Sequence, residues 1–248
     1  MTPFLNFLYY SIKAIYLQKT KTQISELYVS IFNRASEKSG NQNWLNSGYK
    51  TDATAMANAM LATDAAKTYF GTSLDSNAAF VEHIYANTLN KGGADVDAAG
   101  KAGWVEFLET GKSRGEMVVE MIEAIKEYQV GGAKYATADQ ATKDAAQQFE
   151  NRVKVSDYTA DTLETIAVSE IDSTLSFSSA LTVTADPATV ETAKKSVQAL
   201  TIDGTTFSLT TGVDTFVGTD KNDLFKASVL TANNGDTLDG GAGADTLN

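Results

Sequence analysis

The sequence predicts a mainly α-helical protein that ends in the first turns of a parallel, calcium-binding β-roll. Two observations predict this fold class. Apolar residues recur at helical spacing through most of the first two hundred positions. After Leu200 the apolar period changes to two, and nine-residue blocks rich in Gly, Thr and Asp follow. We therefore expect three segments: an N-terminal extension (1–21), a helical domain (22–200), and a β transition with the first nonapeptides (201–248).

The N-terminal extension carries an apolar run over residues 1–17 that Lys13 interrupts. A secretory signal peptide would need a positively charged start and a small-residue cleavage site, which this run lacks. The run is also at the short limit for crossing a bilayer. Three interpretations stay open: an extension foreign to the natural protein, an additional packing helix, and a membrane role. We expect no transmembrane segment.

The helical domain opens with the spacing of a capping box, Thr20 and Gln23, ahead of an amphipathic stripe. A second capping-box pair is predicted at Thr137 and Gln140, and Asp186 is predicted to cap the last helix, with a proline directly after it. The predicted stripes are Ile24, Leu27, Tyr28, Ile31 and Phe32; Phe80, Ile84 and Leu89; Met117, Val118, Met121, Ile122 and Ile125; Ala141, Ala145, Phe149 and Val153; and Leu163, Ile166, Ala167 and Glu170.

Two stretches of the helical domain resemble each other and predict an internal duplication. Each has a helix with a tyrosine, a turn at a glycine, and a second helix with a tryptophan. These residues are Tyr28, Gly40 and Trp44 in the first copy, and Tyr85, Gly100 and Trp104 in the second. Because each helix-turn-helix unit is too small to bury its own apolar face, we expect the two copies to pack on one another as an α-helical pseudo-repeat.

Charge is spread unevenly along the chain. The net charge is −11, of which residues 157–248 carry −10. An acidic segment rich in Gly and Thr repels nucleic acid and attracts divalent cations, so we expect no nucleic-acid partner. The chain has no cysteine and one histidine, His83. A zinc site of Cys and His ligands would therefore have a single such ligand, and a Ser-His-Asp triad could form only around His83. We expect no catalytic residues and no enzymatic activity.

The C-terminal segment divides into blocks of nine that begin at 209, 218, 231 and 240, with a four-residue insertion at 227–230. The sixth residue of each block is Asp214, Asp223, Asp236 or Asp245, and the eighth is Phe216, Phe225, Leu238 or Leu247. The last block completes the pattern G-G-x-G-x-D-x-U-x with Gly240, Gly241 and Gly243. We expect these aspartates and glycine turns to form partial calcium sites. The alternative is a flexible acidic linker.

Calcium binding by this fragment is expected to be weak or absent, because each ion in a β-roll lies between successive turns and one complete repeat supplies half a site. A second calcium pattern occurs at "DVDAAGKAGWVE". It places Asp95, Asp97 and Glu106 at positions 1, 3 and 12 of an EF-hand loop, with Ala99 where a fifth-position ligand is required. The alternative is that Asp95 and Asp97 are turn and cap residues.

Three passages together resemble a known family: "LYVSIFNRASEKSGNQNWL", its second copy, and "LTTGVDTFVGTDKNDLF" running into "GDTLDGGAGADTLN". They are similar to the N-terminal region of S-layer proteins of Gram-negative bacteria, the RTX-related kind exported by type I secretion. The resemblance covers roughly residues 22–248 and leaves 1–17 unexplained. It implies a structural protein, secreted to the cell surface, whose helical domain anchors the surface lattice to lipopolysaccharide.

The resemblance also implies partners and a cofactor. The expected partners are the O-polysaccharide of lipopolysaccharide and further copies of the protein, which would assemble into a lattice through a region beyond residue 248. Calcium is the expected cofactor. A groove between helices, lined by hydroxyl, amide, Lys and Arg groups, would select the saccharide, but the sequence assigns no groove residues. Two alternatives stay open: an RTX-type secreted adhesin or binding module, and a non-catalytic segment of a secreted hydrolase.

Overall fold

The computed structural model describes residues 20–93, 97–163, 174–198, 204–219, 221–242 and 245–248. Within these ranges the chain is mainly helical with a few short parallel strands near its C-terminal end, which confirms the coarse fold class. The helices are α1 (Lys21–Phe32), α2 (Lys38–Leu45), α3 (Ala53–Leu61), α4 (Asp64–Phe70), α5 (Asn77–Leu89), α6 (Ala98–Glu109), α7 (Arg114–Lys126), α8 (Gln140–Thr162) and α9 (Ala188–Gln198). None of the described helices has the length and apolar character needed to cross a membrane.

Several predicted features lie outside the described residues. These are the apolar run 1–17, the helix predicted from Ile166 to Glu170, the last apolar position Leu200, the strand at Ile202, and the predicted ligands Asp95 and Gly243. The described chain divides into two compact units, the first ending at Ala193 and the second beginning at Lys194.

Helix α1 is the central helix of the first unit. Its predicted capping box is confirmed: the Gln23 amide donates to Thr20 Oγ1 over 3.2 Å, and the Thr20 amide donates to Gln23 Oε1 over 3.0 Å. Every residue from Ile24 to Ile31 is buried, including Ser25 and Glu26. The sequence predicted an amphipathic helix with one buried face, but α2, α5, α7 and α8 pack around α1 and cover it on several sides.

The other helical stripes are largely confirmed. All five predicted positions of α7 are buried, as are Phe80 and Ile84 of α5 and three of the four positions of α8; Ala141 is exposed. The capping box predicted at Thr137 is wrong, because Thr137 ends a 3-10 turn and Asp139 caps α8 by accepting from the Thr142 amide over 2.7 Å. Asp186 does cap α9, accepting from the Ala188 amide over 2.9 Å.

The turns predicted at the two repeat glycines are misplaced. Gly40 and Gly100 lie inside helices α2 and α6, and the chain turns earlier, at Asn33 and Asn90. These two asparagines adopt left-handed backbone conformations, with φ of 48° and 53°, and end α1 and α5. Each lies five residues after the tyrosine of its copy. In each copy, therefore, a left-handed asparagine makes the turn.

The two glycines allow the second helix of each copy to lie close to the tyrosine of the first helix. A Cβ on Gly100 would lie 2.6 Å from Tyr85 Oη and 2.7 Å from Asp97 Oδ2, and a Cβ on Gly40 would lie 2.5 Å from Tyr28 Oη. A Cβ atom and an oxygen this close would clash, so any side chain at these positions would displace the tyrosine. The glycine lets the second helix of each copy pack against the first.

We expect Gly100→Ala to destabilise the helical unit by about 1–3 kcal/mol, the usual cost of overpacking. Gly103→Ala is the matched control, because Gly103 lies in the same helix and a Cβ there meets nothing within 4 Å. The control should be stabilised by about 0.5–1 kcal/mol through helix propensity alone. Urea unfolding followed by circular dichroism measures both. Equal shifts of the two variants would contradict the close-approach role.

One buried cation joins the two copies. Arg152 of α8 is 3% exposed. Its Nη1 donates to Asn33 Oδ1 over 3.1 Å and to the Asn87 carbonyl over 3.0 Å, and its Nη2 donates to Asn90 Oδ1 over 3.4 Å. The guanidinium thus contacts the C-terminal ends of α1 and α5 together, where the helix dipoles are negative. Helices α1 and α5 also pack against each other, as expected for a pseudo-repeat.

The described part of the second unit contains five short strands in two parallel sheets. The strands are β1 (Thr206–Ser208), β2 (Thr215–Val217), β3 (Leu224–Lys226), β4 (Thr237–Asp239) and β5 (Thr246–Leu247), and the sheet orders are β1-β3-β5 and β2-β4. Successive strands therefore alternate between the sheets. Inside, the rings of Phe207 and Phe225 stack with centroids 5.0 Å apart. The turn residues Asp203 and Gly204 between Ile202 and Phe207 predict a hairpin. Its first strand lies outside the described residues, and β1 pairs in parallel with β3.

Candidate binding pocket of the second copy

A pocket of about 250 Å³ lies among α5, α6, α7 and α8 of the helical unit. Three aromatic residues line it, together with three polar residues and an apolar floor from α5, α7 and α8. The aromatic residues are Tyr85, Trp104 and Tyr128, and the polar ones are Lys91, Asp97 and Thr142. Aromatic walls with a few polar groups are typical of sites that bind small organic groups.

The duplicated unit positions the pocket's aromatic wall. Tyr85 is 6% exposed, and its hydroxyl lies beside the indole of Trp104, which places the tryptophan ring against α5. Burial raises the pKa of Tyr85, and the nearby Asp97 carboxylate adds to the rise. The Trp104 ring also contacts Phe107 edge-on, with centroids 5.8 Å apart. Because Trp104 is only half-buried, one part of the ring stays open to a ligand.

A second, more open depression of about 510 Å³ adjoins the pocket, since Trp104 and Ala124 line both. Three glutamates and two lysines line the depression: Glu120, Glu123, Glu127, Lys126 and Lys134. Both lysines are ion-paired, Lys126 with Glu123 at 2.9 Å and Lys134 with Glu127. The depression therefore carries a small excess of negative charge. We refer to the pocket and the depression, which share Trp104 and Ala124 in their linings, as the groove across Trp104.

The EF-hand interpretation is wrong for the described residues. Helix α6 begins at Ala98, so most of the predicted loop is helical. Asp97 is its N-cap and accepts from the Ala99 and Gly100 amides over 3.2 and 2.9 Å. Glu106 lies nine positions further on, which is about 13 Å of helical rise, too far to share an ion with Asp97. The alternative interpretation, a cap residue, is confirmed for Asp97.

The four phased aspartates lie in two pairs, one beside each sheet. The Asp214 amide donates to Asp236 Oδ1 over 2.8 Å, and the Asp223 amide donates to Asp245 Oδ1 over 2.9 Å. Gly241 adopts φ 80° next to Gly240, and its amide donates to Asp239 Oδ1 over 3.0 Å. Among the described residues no group of three or more His, Asp or Glu side chains is arranged to hold a metal ion. Calcium binding by these residues stays a prediction.

Asp223 is the most enclosed of the four and is fully buried. Its Oδ2 accepts from the Thr219 amide over 2.6 Å, and its Oδ1 accepts from the Thr205 amide. The Thr219 hydroxyl donates to it as well, over 3.1 Å. The Thr219 amide is the main cause that lowers the pKa of Asp223, with the Thr205 amide adding to it. Its carboxylate therefore joins two turns of the second unit through backbone amides.

Sequence reasoning left the ligand-binding residues unassigned and missed Lys91, Tyr128 and Thr142. Tyr128 and Thr142 come from outside the duplicated stretch, and no local pattern connects them to it. Lys91 does have a signal in the sequence: it follows the left-handed asparagine of the second copy, as Arg34 follows that of the first. Alignment of the two copies would have placed Lys91 beside the turn.

The chain was compared with known proteins. The model of a domain of unknown function, DUF4214, matches residues 57–129. This range holds the second copy of the duplicated unit with Tyr85, Trp104 and Tyr128, and it leaves the first copy and the second unit outside. No curated protein matches the chain. No solved structure matches it either.

Proposed function

We propose that the helical unit is a saccharide-binding module that anchors an S-layer protein to the O-polysaccharide of lipopolysaccharide at the cell surface. The observation that carries this proposal is the groove across Trp104, with Tyr85, Tyr128, Lys91 and Thr142 around it. The apolar face of a sugar ring packs on an aromatic ring, while its hydroxyls need hydrogen-bond partners at the rim. A groove longer than one pocket suits a polysaccharide chain.

The second unit supports the same assignment. Its strands alternate between two parallel sheets, and the paired strands β1 and β3 are two nonapeptides apart. We propose that this unit is the opening of an RTX-type calcium-binding β-roll, which would continue into the lattice-forming part of a type I-secreted protein. On this proposal, Asp214, Asp236 and Asp245 are the residues available to calcium, with Gly240 and Gly241 forming the turn, whereas the buried Asp223 carboxylate joins turns through backbone amides.

Trp104→Ala should weaken binding of the protein to purified lipopolysaccharide at least tenfold, because it removes the central aromatic surface of the groove. Biolayer interferometry on immobilised lipopolysaccharide measures the affinity. Trp44→Ala is the matched control: Trp44 holds the same position in the first copy and also lies beside its tyrosine, so both variants lose an equivalent aromatic contact. The control should bind within about twofold of the wild type.

Lipopolysaccharide that lacks O-polysaccharide provides the second arm of this experiment. The wild-type protein should bind it far more weakly than the full-length form. Equal binding to both preparations, or an affinity that Trp104→Ala leaves unchanged, would overturn the anchoring proposal. Circular dichroism of each variant verifies that the helical unit is folded in the same way.

A further inference from the structure

The two copies of the duplicated unit can be aligned residue by residue around their tyrosines. The aligned pairs are Tyr28 and Tyr85, Phe32 and Leu89, Asn33 and Asn90, Arg34 and Lys91, Glu37 and Asp97, Gly40 and Gly100, and Trp44 and Trp104. The glycines, the asparagine turns and the placement of each tyrosine beside its tryptophan correspond in the structure as well as in the sequence. A difference between the copies is therefore informative.

In the first copy a cation of the protein itself lies against the tyrosine. The guanidinium carbon of Arg34 lies 4.9 Å from the ring centroid of Tyr28 and 5.5 Å from that of Phe32. Arg34 Nη1 donates to Glu37 Oε2 over 2.8 Å, and both side chains are about nine-tenths buried, at 11% and 12% exposure. The first copy thus encloses a guanidinium between aromatic rings and a carboxylate.

In the second copy the described residues leave the same place open. The counterparts of the three residues that hold Arg34 are Tyr85, Leu89 and Asp97, and all three line the 250 Å³ pocket. The counterpart of Arg34 itself is Lys91, for which the described part of the chain shows no ion pair with Asp97. The pocket therefore occupies the space that the Arg34 guanidinium fills in the first copy.

The carboxylate of this space can still accept a ligand. A carboxylate offers about four acceptor positions, and Asp97 uses two of them for the Ala99 and Gly100 amides. The adjoining depression adds Glu120, whereas its lysines are already paired with Glu123 and Glu127. Aromatic rings and an available carboxylate are the surroundings that a cation prefers.

We propose that the pocket of the second copy binds a cationic group of the ligand, held on Tyr85 and Trp104 and against Asp97 in the place that Arg34 takes in the first copy. This inference rests on the proposed saccharide-binding function, and on a saccharide the group is the free amine of an unacylated amino sugar. The first copy is then a closed, structural version of the unit, and the second copy is the open, binding version.

The ligand test compares two oligosaccharides of equal length, one of glucosamine with free amines and one of N-acetylglucosamine, by isothermal titration calorimetry at pH 6. The wild-type protein should bind the amine form at least tenfold more tightly. Asp97→Asn keeps a capping side chain but removes the charge, and should abolish this preference. Asp52→Asn, the same change at the N-cap of α3, is the control and should keep it.

A second variant tests the correspondence between the copies. Lys91→Arg restores the residue of the first copy, whose guanidinium should fold into the pocket, pair with Asp97 and reduce binding of the amine at least tenfold. Lys67→Arg, the same change on α4 at a residue outside the pocket lining that is paired with Asp64, is the control and should bind like the wild type. Equal effects of these two substitutions, or equal binding of both oligosaccharides by the wild type, would overturn the inference.

The outcomes separate this inference from the anchoring proposal. If lipopolysaccharide binding depends on Trp104 but free amines give no advantage, the anchoring function stands and the cation pocket is wrong. If arginine methyl ester binds in an Asp97-dependent way while neither oligosaccharide nor lipopolysaccharide binds, the pocket receives a protein side chain, and both the saccharide form of the inference and the anchoring proposal fall.

Discussion

Arg152→Met should lower the free energy of unfolding of the helical unit by about 2–4 kcal/mol. Methionine fills a similar volume but donates no hydrogen bonds. It would leave Asn33 Oδ1, the Asn87 carbonyl and Asn90 Oδ1 without the donor that now serves all three. Two helix ends, those of α1 and α5, would lose their common partner in the same step.

Burying the Arg152 guanidinium also costs free energy, because it is a buried charge with no carboxylate partner among the described residues. Burial lowers the pKa of Arg152 to about 10, and its Nε is buried with no hydrogen-bond partner among the described residues, so burying the charge has a cost. Three hydrogen bonds from a charged donor contribute about 1.5–3 kcal/mol each, and two helix dipoles add about 0.3–1 kcal/mol each. The favourable contributions exceed the cost, so the substitution destabilises.

Urea unfolding measures this effect, and Arg152→Lys makes the test sharper. Lysine keeps the charge and the cost of burying it, but its single ammonium cannot reach both asparagine turns, so this variant should be no more stable than Arg152→Met. Lys154→Met is the control, since Lys154 lies on the same helix with a half-exposed, ion-paired side chain, and its effect should stay within about 0.5 kcal/mol. Wild-type stability of Arg152→Met would refute the bridging role.

Sequence periodicity could predict most of the helices because a helix that covers one side of a core repeats its apolar residues locally. It could not predict that α1 is buried all round, since that depends on which helices pack beside it. More than one residue near the start of a helix can act as its N-cap. Thr137 has the right spacing for a capping box, but Asp139 lies closer to the first apolar residue and takes the position.

The duplication was predictable in its aromatic residues and not in its geometry. A glycine between two helical patterns favours a turn, and the sequence offers no sign that Gly40 and Gly100 instead give room to a tyrosine hydroxyl. The binding pocket was unpredictable for a related reason. Its walls come from α5, α6, α7 and α8, and only the folded chain brings Thr142 to Trp104.

The nine-residue phasing of the C-terminal segment predicted part of the structure of the second unit. It correctly placed an apolar residue on each of four strands and an aspartate two residues before it. It did not reveal that all four carboxylates accept from backbone amides, because amides carry no sequence signal. This arrangement has a consequence for stability that a calcium assignment alone does not predict.

Asp223→Asn should unfold the second unit at a clearly lower temperature than the wild type while leaving the helical unit intact. Both carboxylate oxygens of Asp223 accept from backbone amides, Oδ1 from Thr205 and Oδ2 from Thr219. Asparagine has one acceptor oxygen, so its amide nitrogen would face one of these donors at hydrogen-bond distance. A buried backbone amide would lose its partner, and the turn would be pushed apart.

The same carboxylate predicts acid sensitivity. The pKa of Asp223 in the folded protein lies below its ordinary value of 3.8, so the charge stabilises the second unit fully above that value, and this contribution is lost as the pH falls through the lowered pKa. Amide resonances of Thr205 and Thr219, followed by NMR in a pH titration, report the loss. Asp239→Asn is the control, since the Asp239 side chain is exposed and, among the described residues, accepts from the Gly241 amide alone, and it should melt like the wild type.

Unfolding measured with and without calcium distinguishes the two roles that Asp223 can have. If the carboxylate acts by joining turns through amides, the wild-type unit keeps its strands in a chelator, and Asp223→Asn lowers its melting temperature with or without calcium. If it acts as a calcium ligand, the strands form only when calcium is added, and the substitution matters only then. The amide contacts lead us to expect the first result for Asp223, because a fully buried carboxylate already satisfied by two backbone donors has little left to offer an ion.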